Sequence, residues 1–384
     1  MKVTQIVPGR FHHFHLARQL ERFEILNQIY TAYPRFKLKD ENGISPNKIR
    51  TLPWIHSLYM KRDLFGIDQI PSIDRYLFWL GIQSLDKYAA SHIKTKGILI
   101  ALSCSGLYSG KKMHSLGGKY ICDRGSSHIV FQNEILEDEY NRWGFKWKGI
   151  DERVIAKELE EYAESDFITI PSEFVKKSFL DKGVKKEKLM KIPYGARLDR
   201  FKKIAEPSKN KFTVLWVGGV SLRKGFMYAL NAFNAFKHPN KEFVVIGHLT
   251  TEIRQLMHNT KTEGILLKGN VPNAELLYYY SKASVFLLTS LEEGLAMVQG
   301  EALACGCPII ATPNTGSEDL ITSGKEGFIV PIRNEKEILD SFYKFSDNPH
   351  LREEMSENAL LKVKSLGGWD TYGSNFNSFI KTIQ

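Results

Sequence analysis

The chain has 384 residues, 43% of them hydrophobic, with 53 Lys and Arg against 43 Asp and Glu, a formal net charge of +10. That length suits two domains of roughly 150 to 200 residues, each able to bury a core, and no apolar run approaches the roughly 20 residues needed to cross a bilayer. Cys104, Cys122, Cys305 and Cys307 lack C-x-x-C pairing, which speaks against a zinc ribbon or a disulfide framework and for small apolar packing residues.

Charge is unevenly divided. Residues 1–200 hold 33 basic and 24 acidic side chains, a balance of +9, whereas residues 201–384 hold 20 and 19, a balance of +1. A basic first half suits a polyanionic acceptor or an anionic membrane surface. Its cations are scattered and no nucleic-acid-binding motif is present, which speaks against nucleic acid.

Met1-Lys-Val-Thr-Gln-Ile-Val-Pro8 reads as a first strand, without the long apolar region and cleavage site of a signal peptide, so the expected location is cytoplasmic, with the inner membrane face as a peripheral alternative. A turn at Pro8-Gly9-Arg10 leads into a helix start holding His12, His13 and His15, whose spacing specifies no metal. They serve either aromatic packing or contact with an acceptor. Residues 75–92 form an apolar-aromatic helix preceded by the basic run Tyr59-Met-Lys-Arg-Asp-Leu-Phe65, and the pair is either first-domain core or a surface resting on a membrane. Lys119-Tyr-Ile-Cys-Asp123 begins as a strand and turns at Arg124-Gly125, with Ser126 and Ser127 available to cap the next helix and His128 beside them.

Residues 158–175 run from an acidic helix into a short strand stopped by Pro171, and Lys188-Leu-Met-Lys-Ile-Pro193-Tyr194-Gly195 makes another strand and turn. Residues 202–211 are polar and aperiodic, a linker. Phe212 to Val217 then forms a strand, Gly218-Gly219-Val-Ser-Leu-Arg223-Lys224-Gly225 a glycine turn with two cations, and residues 227–236 a helix. Glycines let backbone approach a phosphate and the cations can neutralise a diphosphate, or the pair is simply solvated at a helix start. Phe243-Val-Val-Ile-Gly247 and Ile265-Leu-Leu-Lys-Gly269 add strands in the order of a doubly wound sheet.

Ala283-Ser-Val-Phe-Leu-Leu-Thr-Ser290 reads as a buried strand entering a turn at Glu293 and a helix beginning near Leu295, with Glu301 a turn or more inside it. The helix start offers free N–H groups and a positive dipole end to a diphosphate. Like charges repel, so the two glutamates either accept hydrogen bonds from hydroxyls on both sides of it, a sugar and a ribose, or are solvated acids of a surface helix.

Ser290-Leu-Glu-Glu293-Gly-Leu-Ala-Met-Val-Gln-Gly-Glu301-Ala-Leu-Ala-Cys-Gly306 resembles the E-x7-E signature of the retaining glycosyltransferases of family 4, S-x-x-E-G-F-G-L-x-x-x-E-A-M-A-x-G. The resemblance implies an α/β fold of the GT-B type, two Rossmann-like doubly wound domains facing a central cleft. Residues 1–200 would form the acceptor-binding domain, 201–365 the nucleotide-sugar-binding domain, and 366–384 a terminal helix crossing back to the first. It implies that Arg223 and Lys224 hold the donor diphosphate beside Gly218 and Gly219, that Glu301 binds ribose, and that Glu293 holds the sugar. Gly269, Asn270 and Val271 would meet the base, with Gly294, Leu295, Ala296 and Met297 completing the donor site. From the first domain His128 would reach the donor sugar as a catalytic group, with Gly9, Arg10, Asp123 and Arg124 as acceptor or cleft residues.

The chain departs from the family at several positions. Gly219 stands where an arginine is usual, leaving Arg223 to supply the guanidinium; Tyr194 and Arg197 stand where Asn and Asp are usual; and a single Gly9 replaces two glycines. The resemblance implies no metal and no cofactor, a nucleotide-diphosphate sugar as co-substrate, and a glycan or glycolipid acceptor in cell-surface polysaccharide or lipopolysaccharide assembly. A sugar-nucleotide epimerase of the same fold and a catalytically silent partner subunit are the alternatives.

Overall fold

Short aliphatic, β-branched runs flanked by helical stretches can be buried on both faces only as parallel strands covered by helices. The structure, a computed structural model, shows two such sheets and describes residues 1–195 and 200–384; Arg197 lies outside the described residues. The first domain begins β1 (Val3–Val7), α1 (His12–Arg22), β2 (Leu26–Thr31), β3 (Ile49–Thr51), α2 (Trp54–Met60) and α3 (Pro71–His92). It continues β4 (Ile98–Leu102), α4 (Leu107–Ser115), β5 (Lys119–Asp123), α5 (Ile129–Arg142), α6 (Glu152–Glu164), β6 (Phe167–Ile170), α7 (Glu173–Asp181) and β7 (Leu189–Lys191). Residues 201–211 carry neither helix nor strand.

The second domain begins β8 (Phe212–Val217), α8 (Phe226–Ala235), β9 (Lys241–Ile246), α9 (Thr251–His258), β10 (Ile265–Gly269), α10 (Asn273–Lys282) and β11 (Val285–Leu288). It ends α11 (Met297–Ala304), β12 (Ile309–Ala311), β13 (Gly327–Ile329), α12 (Glu335–Asp347) and α13 (Pro349–Leu366), and α14 (Trp369–Thr382) follows.

The sheet orders are β3-β2-β1-β4-β5-β6-β7 and β10-β9-β8-β11-β12-β13, every pairing parallel. In each, strand order reverses beside the first strand, between β1 and β4 and between β8 and β11, where the carboxyl ends of the strands leave a crevice. Helices cover both faces of the second sheet: Trp216, Phe226, Phe233 and Phe243 are buried on one side, Tyr280, Phe286 and Leu303 on the other.

Helix α14 belongs to the first domain. Tyr372, Phe376, Phe379 and Ile380 are buried in one cluster with Val3, Phe14, Leu20 and Ile29. At its start Gln19 and Arg22 of α1 donate to Asp370 at 2.8 and 2.6 Å, and Trp369 stacks on His15 with ring centroids 3.8 Å apart. The helix marked in the sequence at residues 75–92 spans Pro71–His92; only its second half, from Gly81, enters the core.

Phe376 is fully buried. Phe376→Ala is expected to lower stability by about 3–5 kcal/mol through lost transfer energy and a residual cavity. A urea titration would show it as an earlier midpoint, and an unchanged midpoint would mean that α14 is not part of the core.

Candidate active site

The second-domain wall is built at the ends of β8 and β11. Gly225 holds φ 70 at the start of α8, and a Cβ there would lie 2.1 Å from the Thr289 carbonyl oxygen, so only glycine lets the Arg223-Lys224 turn rest against the end of β11. Beside it a side chain on Gly218 or Gly219 would meet nothing within 4 Å, leaving space next to exposed backbone.

In the turn that follows, Lys224 Nζ touches the Glu293 carboxylate, and Arg223 Nη1 lies 3.6 Å from Glu293 Oε1 while donating to the Glu292 carbonyl oxygen at 3.0 Å. Burial and the Arg223 charge bring the Lys224 ammonium down to about 7, against the pull of Glu292. The structure therefore brings Arg223, Lys224 and Glu293 together. Glu301, in the second turn of α11, accepts from Tyr280 Oη at 3.2 Å. Gly294, Leu295 and Ala296 lead into Met297 at the start of α11, which has no side-chain cap. Gly269 ends β10, the edge strand, and Asn270 and Val271 follow it, with Gly269 and Asn270 exposed.

The two walls meet through Glu292, whose role the sequence did not disclose. Its fully buried carboxylate accepts from Ser127 N at 3.0 Å, Ser127 Oγ at 2.8 Å and Gln132 Nε2 at 2.9 Å, all first-domain groups, and lies 3.3 Å from Arg223 Nη1. Burial opposes its ionisation, but Arg223 and the Ser127 hydrogen bonds outweigh that and hold it below the usual carboxylate range. Next to it, Gly294 passes so close to the first domain that a Cβ would lie 1.7 Å from the Gly125 carbonyl oxygen. Ser172 Oγ donates to the Gly294 carbonyl at 2.7 Å, and Asp319 accepts from Glu173 N at 2.8 Å and Lys191 Nζ at 2.7 Å.

Several first-domain expectations are corrected. His128 does not cross the cleft: its ring packs against Tyr162 and Phe179, centroids 5.1 and 4.9 Å away, and its Nδ1 accepts from Val130 N as the cap of α5. It lines a groove of about 750 Å³ in the first domain with Lys182 and Lys188, and burial, then Arg124 and Lys182, bring it down to about 4. The cause is register. β5 ends at Asp123, and by His128 the chain has already turned into the body of the domain. Arg124 is likewise internal, donating to Ser127 O, Ser103 Oγ, Glu158 and Gln132 Oε1. Arg10 is committed to Glu41 at 2.7 Å, and Gly9 lies against the Phe11 ring.

Asp123 sits at the end of β5, where His12 Nε2 and His13 Nε2 both approach its Oδ2, at 2.5 and 2.9 Å, while Thr169 Oγ1 donates to Oδ1 at 2.6 Å. Ligands of one tetrahedral zinc stand about 3.3 Å apart, so these are hydrogen-bond spacings. Burial resists, but His12 and His13 hold the Asp123 carboxyl far below its ordinary range. Tyr194 lies over His12 with centroids 4.4 Å apart, and its hydroxyl would be 2.9 Å from a Cβ on Gly125. His12 is thus placed one residue's width from the strip of backbone that touches Gly294. The adjacent histidines at a helix start were its signal in the sequence; their common partner, 110 or 111 positions away, left none.

Comparison with known proteins agrees with this architecture. The family model "Glycosyl transferases group 1" matches residues 198–362, the second sheet and its helices. An uncharacterized glycosyltransferase of Methanocaldococcus jannaschii is 22% identical over 312 residues, 78% of this chain and 77% of that protein. The capsular polysaccharide biosynthesis glycosyltransferase CapM of Staphylococcus aureus is 24% identical over 249 residues, 59% of this chain and 65% of CapM. The crystal structure of Anabaena HepE in complex with UDP-glucose shares the fold, with a TM-score of 0.69 and 13% identity, covering all of both chains. The two Rossmann-like domains form the GT-B fold.

Glu292→Gln tests the junction, because the new amide N–H groups would face Gln132 Nε2 or Arg223, donor against donor. The expected cost is about 2–4 kcal/mol with a looser domain arrangement, read as a larger radius of gyration by small-angle scattering. A lowered carboxylate contributes stability above its ordinary pKa and loses it as pH falls through the folded value. Wild type should therefore loosen on acidification, whereas an already loose variant should not; identical scattering for both proteins at neutral pH would refute the assignment.

Proposed function

We propose that this chain is a retaining glycosyltransferase of family 4 that moves a sugar from a nucleotide-diphosphate sugar to a glycan or glycolipid acceptor in cell-surface polysaccharide assembly. The observation that carries the reading is the convergence of Arg223 and Lys224 on Glu293, in the turn that follows the open Gly218-Gly219 backbone. Two cations beside unhindered backbone suit a diphosphate, and a carboxylate beyond them suits the hydroxyls of a sugar. The UDP-glucose bound to HepE and the capsule role in CapM's name support donor class and setting.

In this mechanism the diphosphate takes Lys224 and Arg223 from Glu293, which frees the carboxylate for the sugar, while Glu301 binds ribose hydroxyls. The bond from C1 to the leaving phosphate oxygen breaks through an oxocarbenium-like state as the acceptor oxygen bonds C1 on the same face, and the acceptor proton passes to that phosphate. The cations stabilise the charge that builds on the leaving group. On the acceptor side, His12, oriented by Asp123, and the Tyr194 hydroxyl both lie beside Gly125, whose carbonyl touches Gly294, at 3.8 and 2.9 Å from where a Gly125 Cβ would be.

Nucleoside diphosphate release from uridine, guanosine and adenosine diphosphate sugars, with and without membrane glycolipid, is expected to single out one donor and to rise with acceptor. Glu293→Gln and Lys224→Ala should each lower kcat by about a hundredfold or more with folding intact; wild-type rates would refute their roles, and donor conversion without acceptor would identify an epimerase. A dianionic ligand raises the Lys224 pKa above its ligand-free value near 7. Nucleotide affinity is then fully present below pH 7 and falls up to about tenfold per pH unit above it. Calorimetric titration of UDP across pH should show that slope in wild type and not in Lys224→Ala.

A further inference from the structure

The long segment between β3 and the buried half of α3 is the least enclosed part of the molecule. From Thr51 to Leu80 no described residue is buried. Trp54 is 79% exposed, Leu64 72%, Phe65 65% and Met60 59%, and Leu58, Ile70, Ile73 and Tyr76 are exposed as well. The segment packs mainly on itself: Tyr59 meets Phe78 with centroids 5.4 Å apart, and Arg62 lies over Tyr59 at 4.2 Å and pairs with Asp74 at 2.7 Å. Single exposed apolar side chains are ordinary, but so many in one helical protrusion mark an interaction surface.

We infer that residues 54–76 dock this protein on an anionic bilayer. The composition is that of an interfacial segment, with Trp, Tyr, Phe, Leu and Met on short helices whose rings can lie at headgroup depth; Lys61, Arg62 and Arg75 are matched in number by Asp63, Asp68 and Asp74, and Arg75 donates to the Gly149 carbonyl oxygen, so the segment itself is neutral. Residues 1–200 carry a balance of +9, which draws the whole domain to anionic lipid. Arg62 is already paired with Asp74, so local adhesion comes mostly from apolar insertion and the charge acts at the level of the domain. Among the described residues no helix is long and apolar enough to cross a membrane, so attachment through this part of the chain is by surface insertion. The segment leaves β3, the outermost strand of the first sheet, at the carboxyl edge that faces the cleft. Docking there holds the first-domain side of the cleft toward the bilayer, where a lipid-carried acceptor is presented.

The test is co-sedimentation of the full chain with phosphatidylcholine vesicles, with and without phosphatidylglycerol, at low and high salt. Wild type is expected to pellet preferentially with phosphatidylglycerol vesicles and to be released in part by salt. The triple variant Trp54→Ser, Leu64→Ser, Phe65→Ser should partition about a hundredfold more weakly while keeping its urea midpoint and its UDP affinity. No partitioning by wild type, no preference for phosphatidylglycerol, or equal partitioning by the variant would overturn the inference. So would sedimentation velocity showing a wild-type dimer that the variant converts to monomer, which would assign the face to a second copy of the chain. Docking is independent of the transferase reading: vesicle binding without nucleotide release sinks only that reading, and nucleotide release without vesicle binding sinks only this one.

Discussion

A carboxylate fully removed from water holds the two halves of this molecule in register. Glu292 leaves the end of β11 and takes hydrogen bonds from Ser127 and Gln132 across the cleft and an ion contact from Arg223 on its own side. Pulling the domains apart returns Glu292 to water, so the net energy of the contact is modest. Its effect is on geometry, because only one apposition satisfies all those donors. The same carboxylate fixes Arg223, whose guanidinium faces Glu293, so domain apposition and the arrangement of the Arg223, Lys224 and Glu293 charges depend on one group.

The two domains differ at the helix start beside the cleft. In the first domain the helix start after β4 is filled from within: Glu161 accepts from Cys104 N and Gly106 N, and Asp86 from Tyr108 N and Ser109 N. Burial drives Glu161 up to about 8 despite the neighbouring Lys157. Helix α11 in the second domain has no acid in its first turn and no side-chain cap. Two sheets of like strand order, the first one strand longer, therefore differ at this helix start, one holding the protein's own carboxylates and the other none in its first turn.

What could be read from the sequence follows the range of the signals. The second domain announces itself locally: Phe212–Val217 then Gly218-Gly219 and a helix, and Val285–Leu288 then Glu293 and a helix, are each contained within about twenty residues, and Lys224 of the first turn touches Glu293 of the second. The first-domain side of the cleft is assembled from distant pairs. Asp123 and Arg124 are adjacent in the sequence, yet Asp123 is bonded to His12 and His13 and Arg124 pairs with Glu158. His128 follows the right strand by five residues too many, a difference that no periodicity reports. The adjacent acids Glu292 and Glu293 were visible, but nothing local says that one faces Lys224 and the other the opposite domain.

The placement of α14 has a consequence for the order in which the protein can be made. Its buried face, Tyr372, Phe376, Phe379 and Ile380, completes the cluster around Val3 and Phe14, yet it is synthesised only after the whole of the second domain. During translation the first sheet waits with part of its apolar surface uncovered while a later, contiguous domain is already able to close its own core. Nascent chains are thus expected to hold a finished second domain beside an unfinished first one, and the first domain reaches its final form only when the chain returns to α1.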